Sequence, residues 1–322
     1  MDGNDDAIQV RDLRKNYRKG PAGAGLNGFD LRVAQGTVCG LLGPNGAGKT
    51  TAIRILATLL RADSGTARVA GFDLGTDRRS VRSRIGVVGQ YAAVDEILSG
   101  RQNLVMFGRL MHLSSAVAAR RADELLERFD LTATGNLAVG RYSGGMRRRL
   151  DLAAALIIDP AVLLVDEPTT GLDPAGRQEV WQAIRSLVGT GTTVLLTTQY
   201  LHEADELADR ITFIGGGRVL TEGTPEELKA AVGPDRLEIE LGALDEIGRA
   251  RAVLAPWAAG EITVEGAAMT MPVADRTRTL VQVVGALAAA GIEPLDLSLR
   301  RPTLDEVFLR HTGPLTAKEV AV

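Results

Sequence analysis

Gly43-Pro44-Asn45-Gly46-Ala47-Gly48-Lys49-Thr50 matches the G-x-x-x-x-G-K-[ST] phosphate loop at every fixed position. Its glycines let backbone N–H groups turn inward around a β-phosphate at a helix N-terminus. Lys49 adds a positive charge for the β- and γ-phosphates, the Thr50 hydroxyl is placed to ligate Mg²⁺, and Thr51 continues the cradle. Further along, Leu163-Leu164-Val165-Asp166-Glu167 is an apolar strand that ends in two carboxylates. Alone, such a pair is an ordinary solvated strand exit. Coupled to the loop, Asp166 can hold Mg²⁺ through water, and Glu167 can polarise an attacking water. Between the two lies Tyr142-Ser143-Gly144-Gly145-Met146, where a hydroxyl and two glycines at a helix start offer donors to a phosphate. Together these three stretches describe an engine driven by a nucleoside triphosphate.

The elements that must hold these residues can be read from periodicity. Val38 to Leu42 is a short apolar run ahead of the loop, and the helix after it carries Ile53, Leu56 and Leu60 on one face. Ala161 to Val165 and Thr193 to Thr197 are further runs of strand length, each followed by a helical pattern. This alternation predicts an α/β phosphate-loop nucleotide-binding domain over residues 7–224 with a largely parallel sheet. Asn103 to Phe129 is helical without strand candidates, which predicts an inserted helical subdomain over about 91–160. Thr224-Pro225-Glu226-Glu227 is a helix start, with Thr as N-cap and Pro in the first position. Beyond it, residues 225–322 read as a linker helix and a C-terminal α+β accessory or regulatory domain. Leu237 to Leu241, Leu244 to Leu254, the hairpin Glu261 to Val264 with Ala268 to Val273, Thr279 to Ala289 and Leu295 to Leu299 run strand-helix-strand-strand-helix-strand. That is the order of a ferredoxin-like unit. A last helix capped by Thr303 and Glu306 carries the apolar stripe Leu304, Val307 and Phe308, which fits either a cap on this domain or a dimer or regulatory contact.

Composition narrows the partners. The net charge of −3 gives no basic footprint, so no nucleic acid partner is expected. Arg147-Arg148-Arg149, behind the Ser-Gly-Gly turn, is therefore read as an intersubunit or phosphate-facing surface. Cys39 is the only cysteine and sits in an apolar strand, so it is expected to be buried and inert, in a reducing compartment. Met1 to Asp6 is acidic and lacks the apolar core of a secretory signal. No run approaches the roughly 18 to 20 apolar residues that span a bilayer, so a membrane role requires other chains to supply the spanning part.

From Ala7 to about Gly223 the chain resembles the ATP-binding subunits of ABC transporters, on the loop, the Asp166-Glu167 pair and Ser143-Gly144-Gly145 at the place of the Leu-Ser-Gly-Gly-Gln signature. The resemblance implies ATP with Mg²⁺ as cofactors, and a head-to-tail dimer in which Ser143, Gly144 and Gly145 reach the γ-phosphate held by the other subunit's loop. It also implies that Tyr17 stacks on adenine. Gln90, after Val87-Val88-Gly89, would sense Mg²⁺ and link to the helical subdomain, and Asp173, in Gly171-Leu172-Asp173, would contact the partner's nucleotide site. Gln199 stands where the family usually has a histidine reaching the γ-phosphate. It donates one neutral hydrogen bond and cannot shuttle a proton, so slower hydrolysis is expected.

Tyr142 and Met146 in place of the usual Leu and Gln, Gln199, and Thr303-Leu304-Asp305-Glu306-Val307-Phe308-Leu309 resemble the daunorubicin/doxorubicin-resistance type of subunit. That likeness implies an exporter ATPase for drugs or lipid-like molecules. It would work with separately encoded transmembrane permease subunits at the cytoplasmic face of the cell membrane, as a peripheral protein. An importer's ATPase and a soluble ABC-type ATPase without a transport role share the core motifs and stand as the alternatives.

Overall fold

The computed structural model describes residues 6–17, 25–90 and 92–312. All but the last residue of the acidic Met1 to Asp6 segment, and the end of the 225–322 accessory region, lie outside the described residues. The chain divides into two compact units, one reaching to Pro225 and one spanning Glu226–His311.

In the first unit β1 (Asp6–Asn16) and β2 (Gly25–Ala34) form an antiparallel pair, followed by the wholly buried β3 (Val38–Leu42). The phosphate loop leads into α1 (Lys49–Leu56), and β4 (Ser64–Val69), β5 (Phe72–Asp73), α2 (Arg78–Arg82) and β6 (Ile85–Val88) come next. A helical stretch holds α3 (Gly100–Leu110), α4 (Ser115–Arg128) and α5 (Gly144–Ala155). The unit closes with β7 (Val162–Asp166), α6 (Pro174–Val188), β8 (Thr193–Thr198), α7 (Leu201–Leu207), β9 (Arg210–Gly215) and β10 (Arg218–Gly223).

Six of these strands form one sheet in the order β10-β9-β3-β8-β7-β6, parallel except at β10. Every residue of β3, β7 and β8 is buried, as continuous apolar runs require of strands covered on both faces. Their carboxyl ends lie side by side, since Leu42 pairs with Thr198 and Asp166 with Thr197. In open α/β sheets that edge is where ligands bind.

The largely parallel sheet and the helical insert match expectation, and the second sheet does not. β2-β1-β4-β5 is an antiparallel sheet that strand-helix alternation does not reveal. Its strands mix buried with exposed positions, so their apolar residues come singly and not in runs. The helix after the loop is also shorter than its apolar spacing suggests. It stops at Leu56 because Thr58 takes a left-handed backbone (φ 62°), and the Leu59 N–H folds back onto the Arg54 carbonyl at 2.8 Å.

The second unit opens in α8 (Pro225–Val232) and continues through β11 (Asp235–Leu241), α9 (Ile247–Leu254), β12 (Thr263–Glu265), β13 (Ala268–Val273), α10 (Arg276–Ala289), β14 (Pro294–Arg300) and α11 (Leu304–Thr312). Its sheet runs β12-β13-β11-β14 with every pair antiparallel, the ferredoxin-like order. Leu237, Ile239, Met269, Met271, Val283 and Leu287 fill its core. Leu304, Val307 and Phe308 of α11 are buried. Glu306 pairs with Arg236 of β11, and Arg310 donates to the Ala231 and Val232 carbonyls of α8. These ties are what a helix capping its own unit makes.

Candidate functional site

The loop begins where β3 ends. Gly48 is the N-cap of α1 with a left-handed backbone (φ 112°), and a Cβ there would lie 2.6 Å from the Gly25 carbonyl oxygen. Only glycine fits, which lets the backbone close into a cradle. A cleft of about 220 Å³ opens on it, lined by Tyr17, Gly25, Pro44, Asn45, Gly46, Ala47, Gly48, Lys49, Thr50, Thr51, Gln90 and Glu167. Tyr17 lines it with its hydroxyl 3.3 Å from the Thr51 Oγ1.

Lys49 is 5% exposed, and its ammonium donates to the carbonyls of Gly43 (2.6 Å) and Pro44 (3.2 Å). Burial pushes its pKa below the ordinary lysine range, and the carboxylates of Glu167 and Asp166 oppose that shift. The Thr50 hydroxyl donates to Asp166 Oδ1 at 3.4 Å, and Thr197 of the adjacent β8 donates to the same oxygen at 2.5 Å. A hydroxyl and a carboxylate beside a phosphate cradle are the oxygen donors that suit Mg²⁺, which takes few protein ligands and fills its shell with phosphate and water. No cluster of three or more His, Cys, Asp and Glu side chains exists among the described residues, and such a site needs none.

Glu167 holds an unusual backbone for a side chain of its size, with φ 50°. Its N–H donates to the Thr197 carbonyl (3.0 Å) and Oγ1 (3.2 Å), and its Oε2 accepts from the Thr170 hydroxyl at 3.2 Å. Thr170 and Thr197 were not among the residues singled out from sequence. Thr197 left a trace there, a hydroxyl residue that closes the apolar run Val194-Leu195-Leu196.

Ser143, Gly144, Gly145 and Asp173 do not line this cleft and gather in a second place. Ser143 is the N-cap of α5, its hydroxyl accepting the Met146 N–H at 3.2 Å. Asp173 caps α6 the same way, accepting from Gly176 at 2.9 Å. The two helix starts touch, since a Cβ on Gly145 would lie 3.3 Å from Gly176 Cα and one on Gly144 would lie 3.1 Å from Leu172. Tyr142 is buried, and its hydroxyl donates to the Thr134 carbonyl at 2.8 Å, which pins the turn to the helical stretch. Gln199 is exposed just beyond β8 and outside the cleft lining. Cys39 is buried, and its thiol is pushed up to about 12 by burial, as an inert core residue requires.

The expectation for Arg147 to Arg149 is corrected at Arg148. Arg148 is buried at 6% exposure and faces inward. Its guanidinium donates to the carbonyls of Pro168 (2.8 Å), Gly89 (2.6 Å), Asp166 (3.3 Å) and Glu167 (3.3 Å), and pairs with Asp151 at 3.2 Å. Arg149 is spent on the Phe129 carbonyl and Glu179, and Arg147 on Glu96. All three have partners within the chain. The cause is the helix itself: α5 buries residues around most of its circumference, so a basic run on it has little solvent face to occupy.

A phosphate loop at the end of a parallel strand, an acidic strand end beside it, and a separate Ser-Gly-Gly helix start define an ATPase of the ATP-binding cassette class. The family model described as "ABC transporter" matches residues 26–170, and one described as "ATP-binding protein DrrA1-3-like, C-terminal domain" matches residues 223–312. The chain is 58% identical over 309 residues to the daunorubicin resistance ATP-binding protein DrrA3 of Streptomyces coeruleorubidus, covering 96% of each. It is 38% identical to the Nod factor export ATP-binding protein I of Sinorhizobium fredii, over 96% of this chain and 87% of that one. Among solved structures it resembles cbiO1 of Clostridium perfringens, part of the ABC transporter complex cbiONQ, with a TM-score of 0.65 and 27% identity over 70% of this chain and 92% of that one. The chain belongs to the ABC transporter ATP-binding proteins, within the branch that carries the DrrA-type C-terminal domain. It is the nucleotide-binding, ATP-hydrolysing subunit of an ABC exporter.

Proposed function

We propose that two copies of this chain close head to tail over two ATP molecules, the Lys49 loop of one copy facing Ser143, Gly144, Gly145 and Asp173 of the other. The observation that carries this reading is the separation of the two clusters: the phosphate cradle and the Ser-Gly-Gly donors sit in different places on one chain. In this reading residues 7–224 are the ATP-binding domain, with its helical subdomain over about 91–160, and 225–322 the linker helix and accessory domain. Tyr17 stacks on the adenine, and the loop N–H groups and Lys49 hold the β- and γ-phosphates. Thr50 and Asp166, with Gln90 at the cleft wall, would hold Mg²⁺, which supplies neutralising charge to those phosphates. Glu167 accepts the proton of the attacking water, and Gln199 contributes a neutral hydrogen bond from the strand end.

No described helix is long and apolar enough to cross a membrane. In this reading the work of closure passes to separate membrane subunits, with this chain peripheral at the cytoplasmic face, and the likeness to transporter ATP-binding proteins supports it. A groove of about 740 Å³ whose lining includes Val87, Ala93, Phe107, Leu110, Met111 and Ile157 lies where β6 and the Gln90 segment meet α3 and α5, and we assign it as their docking surface. The likeness to drug-resistance and Nod factor export proteins supports a drug or a lipid-like molecule as cargo.

The test is Glu167→Gln. The variant should bind ATP, run as a dimer in ATP on size exclusion, and lose turnover by about 10²–10⁴-fold, the usual worth of a general base. Turnover at the parent rate would refute the assignment.

A further inference from the structure

The pair Arg148–Asp151 is nearly sealed from solvent, at 6% and 4% exposure, and bonds to two segments outside its own helix. Arg148 takes the carbonyls of Asp166, Glu167 and Pro168, three consecutive residues with the proposed base in the middle. The same guanidinium takes the Gly89 carbonyl, immediately before Gln90, while Asp151 Oδ1 accepts the Ala93 N–H at 2.9 Å, just after it. One ion pair on α5 therefore anchors the Gln90 segment on both sides and the backbone of the base.

That second contact falls on a strained residue. A glutamate at φ 50° stores on the order of 1–3 kcal/mol and keeps that conformation only when its surroundings over-determine it. Thr197 fixes the amide side of Glu167, and Arg148 fixes the carbonyl side. Burying two charges costs several kcal/mol per ion before their attraction is counted. Burial accordingly pushes Arg148 below and Asp151 above their ordinary pKa ranges, against the pull of each on the other. That cost is offset by the five backbone groups the pair satisfies, the carbonyls of Gly89, Asp166, Glu167 and Pro168 and the Ala93 N–H, so the pair's role lies in fixing where those groups sit.

We infer that Arg148 and Asp151 are positioning residues for hydrolysis, holding the Glu167 backbone and the Gln90 segment in register with the phosphate loop. This rests on the reading of Glu167 as the base. Removing either partner alone would leave a buried charge and endanger folding. The informative variants are the neutral double change Arg148→Gln with Asp151→Asn, and Arg148→Lys, which keeps the charge but loses the planar fork. Misplacing the base by about 1 Å costs on the order of 100-fold. The double variant should therefore lose about that factor in kcat while KM and the affinity for a fluorescent ATP analogue stay within about threefold, with Arg148→Lys recovering only part of the loss. Adding Glu167→Gln to the double variant should slow it no further than Glu167→Gln alone, because both changes act through one group.

Parent-level kcat in the double variant overturns the inference while leaving the base assignment intact. Losses that multiply when combined place Arg148's effect elsewhere and overturn it too. A Glu167→Gln protein with full turnover removes the base reading, and this inference falls with it. Equal loss of nucleotide affinity and kcat, with a lower melting temperature, shows a merely structural pair and also overturns it.

Discussion

Tyr142 and Gly100 should be energetically coupled, and the size of the coupling follows from one contact. Gly100 is the first residue of α3, and a Cβ built on it would lie 2.4 Å from the Tyr142 hydroxyl oxygen, too close for any real pair of atoms. The tyrosine ring cannot simply retreat, because its hydroxyl is held by the Thr134 carbonyl and the side chain is buried. Gly100→Ala must therefore overpack the site, at about 1–3 kcal/mol, or break the hydroxyl's bond and leave a buried acceptor unpaired, at about 1–3 kcal/mol. The gain in helix propensity returns at most about 1 kcal/mol. A net loss of about 2 kcal/mol is expected. Tyr142→Phe alone should lose about 1–2 kcal/mol through the orphaned Thr134 carbonyl.

In the double variant the offending oxygen is gone. The next atom the new methyl meets is the ring Cζ at 3.3 Å, which needs a shift of only a few tenths of an ångström. Gly100→Ala should then be close to neutral, so the double variant costs no more than Tyr142→Phe and the coupling is about 2 kcal/mol. For a unit of this size each kcal/mol moves the melting temperature by about 2–4 °C. Thermal unfolding followed by tryptophan fluorescence should show Gly100→Ala lower by about 4–8 °C in the parent and near zero when Tyr142→Phe is already present. Additive shifts would refute the reasoning.

Two further outcomes follow from the segment after β8. Glu203 is buried on α7, accepting from Thr169 (2.8 Å) and Trp181 (3.0 Å), and burial raises its pKa above the usual 4.5 against those hydrogen bonds. A carboxyl whose pKa is raised by folding gives stability that is complete below the unfolded pKa and is lost as pH rises through the folded one. Glu203→Gln removes that loss, so the melting-temperature difference should grow in the variant's favour as pH rises above the ordinary carboxyl range through the raised folded pKa and then level off, and a constant difference would count against it. Gln199→His should speed turnover and add a limb to the pH–rate profile near the histidine pKa of about 6.5. A parent that is faster, or a variant with an unchanged profile, would show that position 199 stays outside the reaction.

What sequence conveyed and what it withheld differ by physical cause. The loop, the acidic strand end and the Ser-Gly-Gly turn were legible because phosphate chemistry dictates residue types at fixed spacing, and β3, β7 and β8 because strands covered on both faces must be apolar throughout. The ferredoxin-like unit was legible because alternation and helical period switch cleanly along it. The antiparallel sheet was not, since strands exposed on one face dilute their own signal. Arg148 was misread for a subtler reason. Arg148 and Asp151 sit three apart on a helix, which is the spacing of an ordinary exposed ion pair. What separates the two cases is the rest of the helix: Leu150, Leu152, Ala153 and Ala154 wrap around α5 and leave little solvent face for that pair to occupy. A charge pair on the buried side of a helix is turned inward, and an inward guanidinium must find acceptors. Here the acceptors within reach are carbonyls at the ends of β6 and β7, so the helix that begins with the Ser-Gly-Gly donors also grips the backbone of the base proposed for the chain's other cluster.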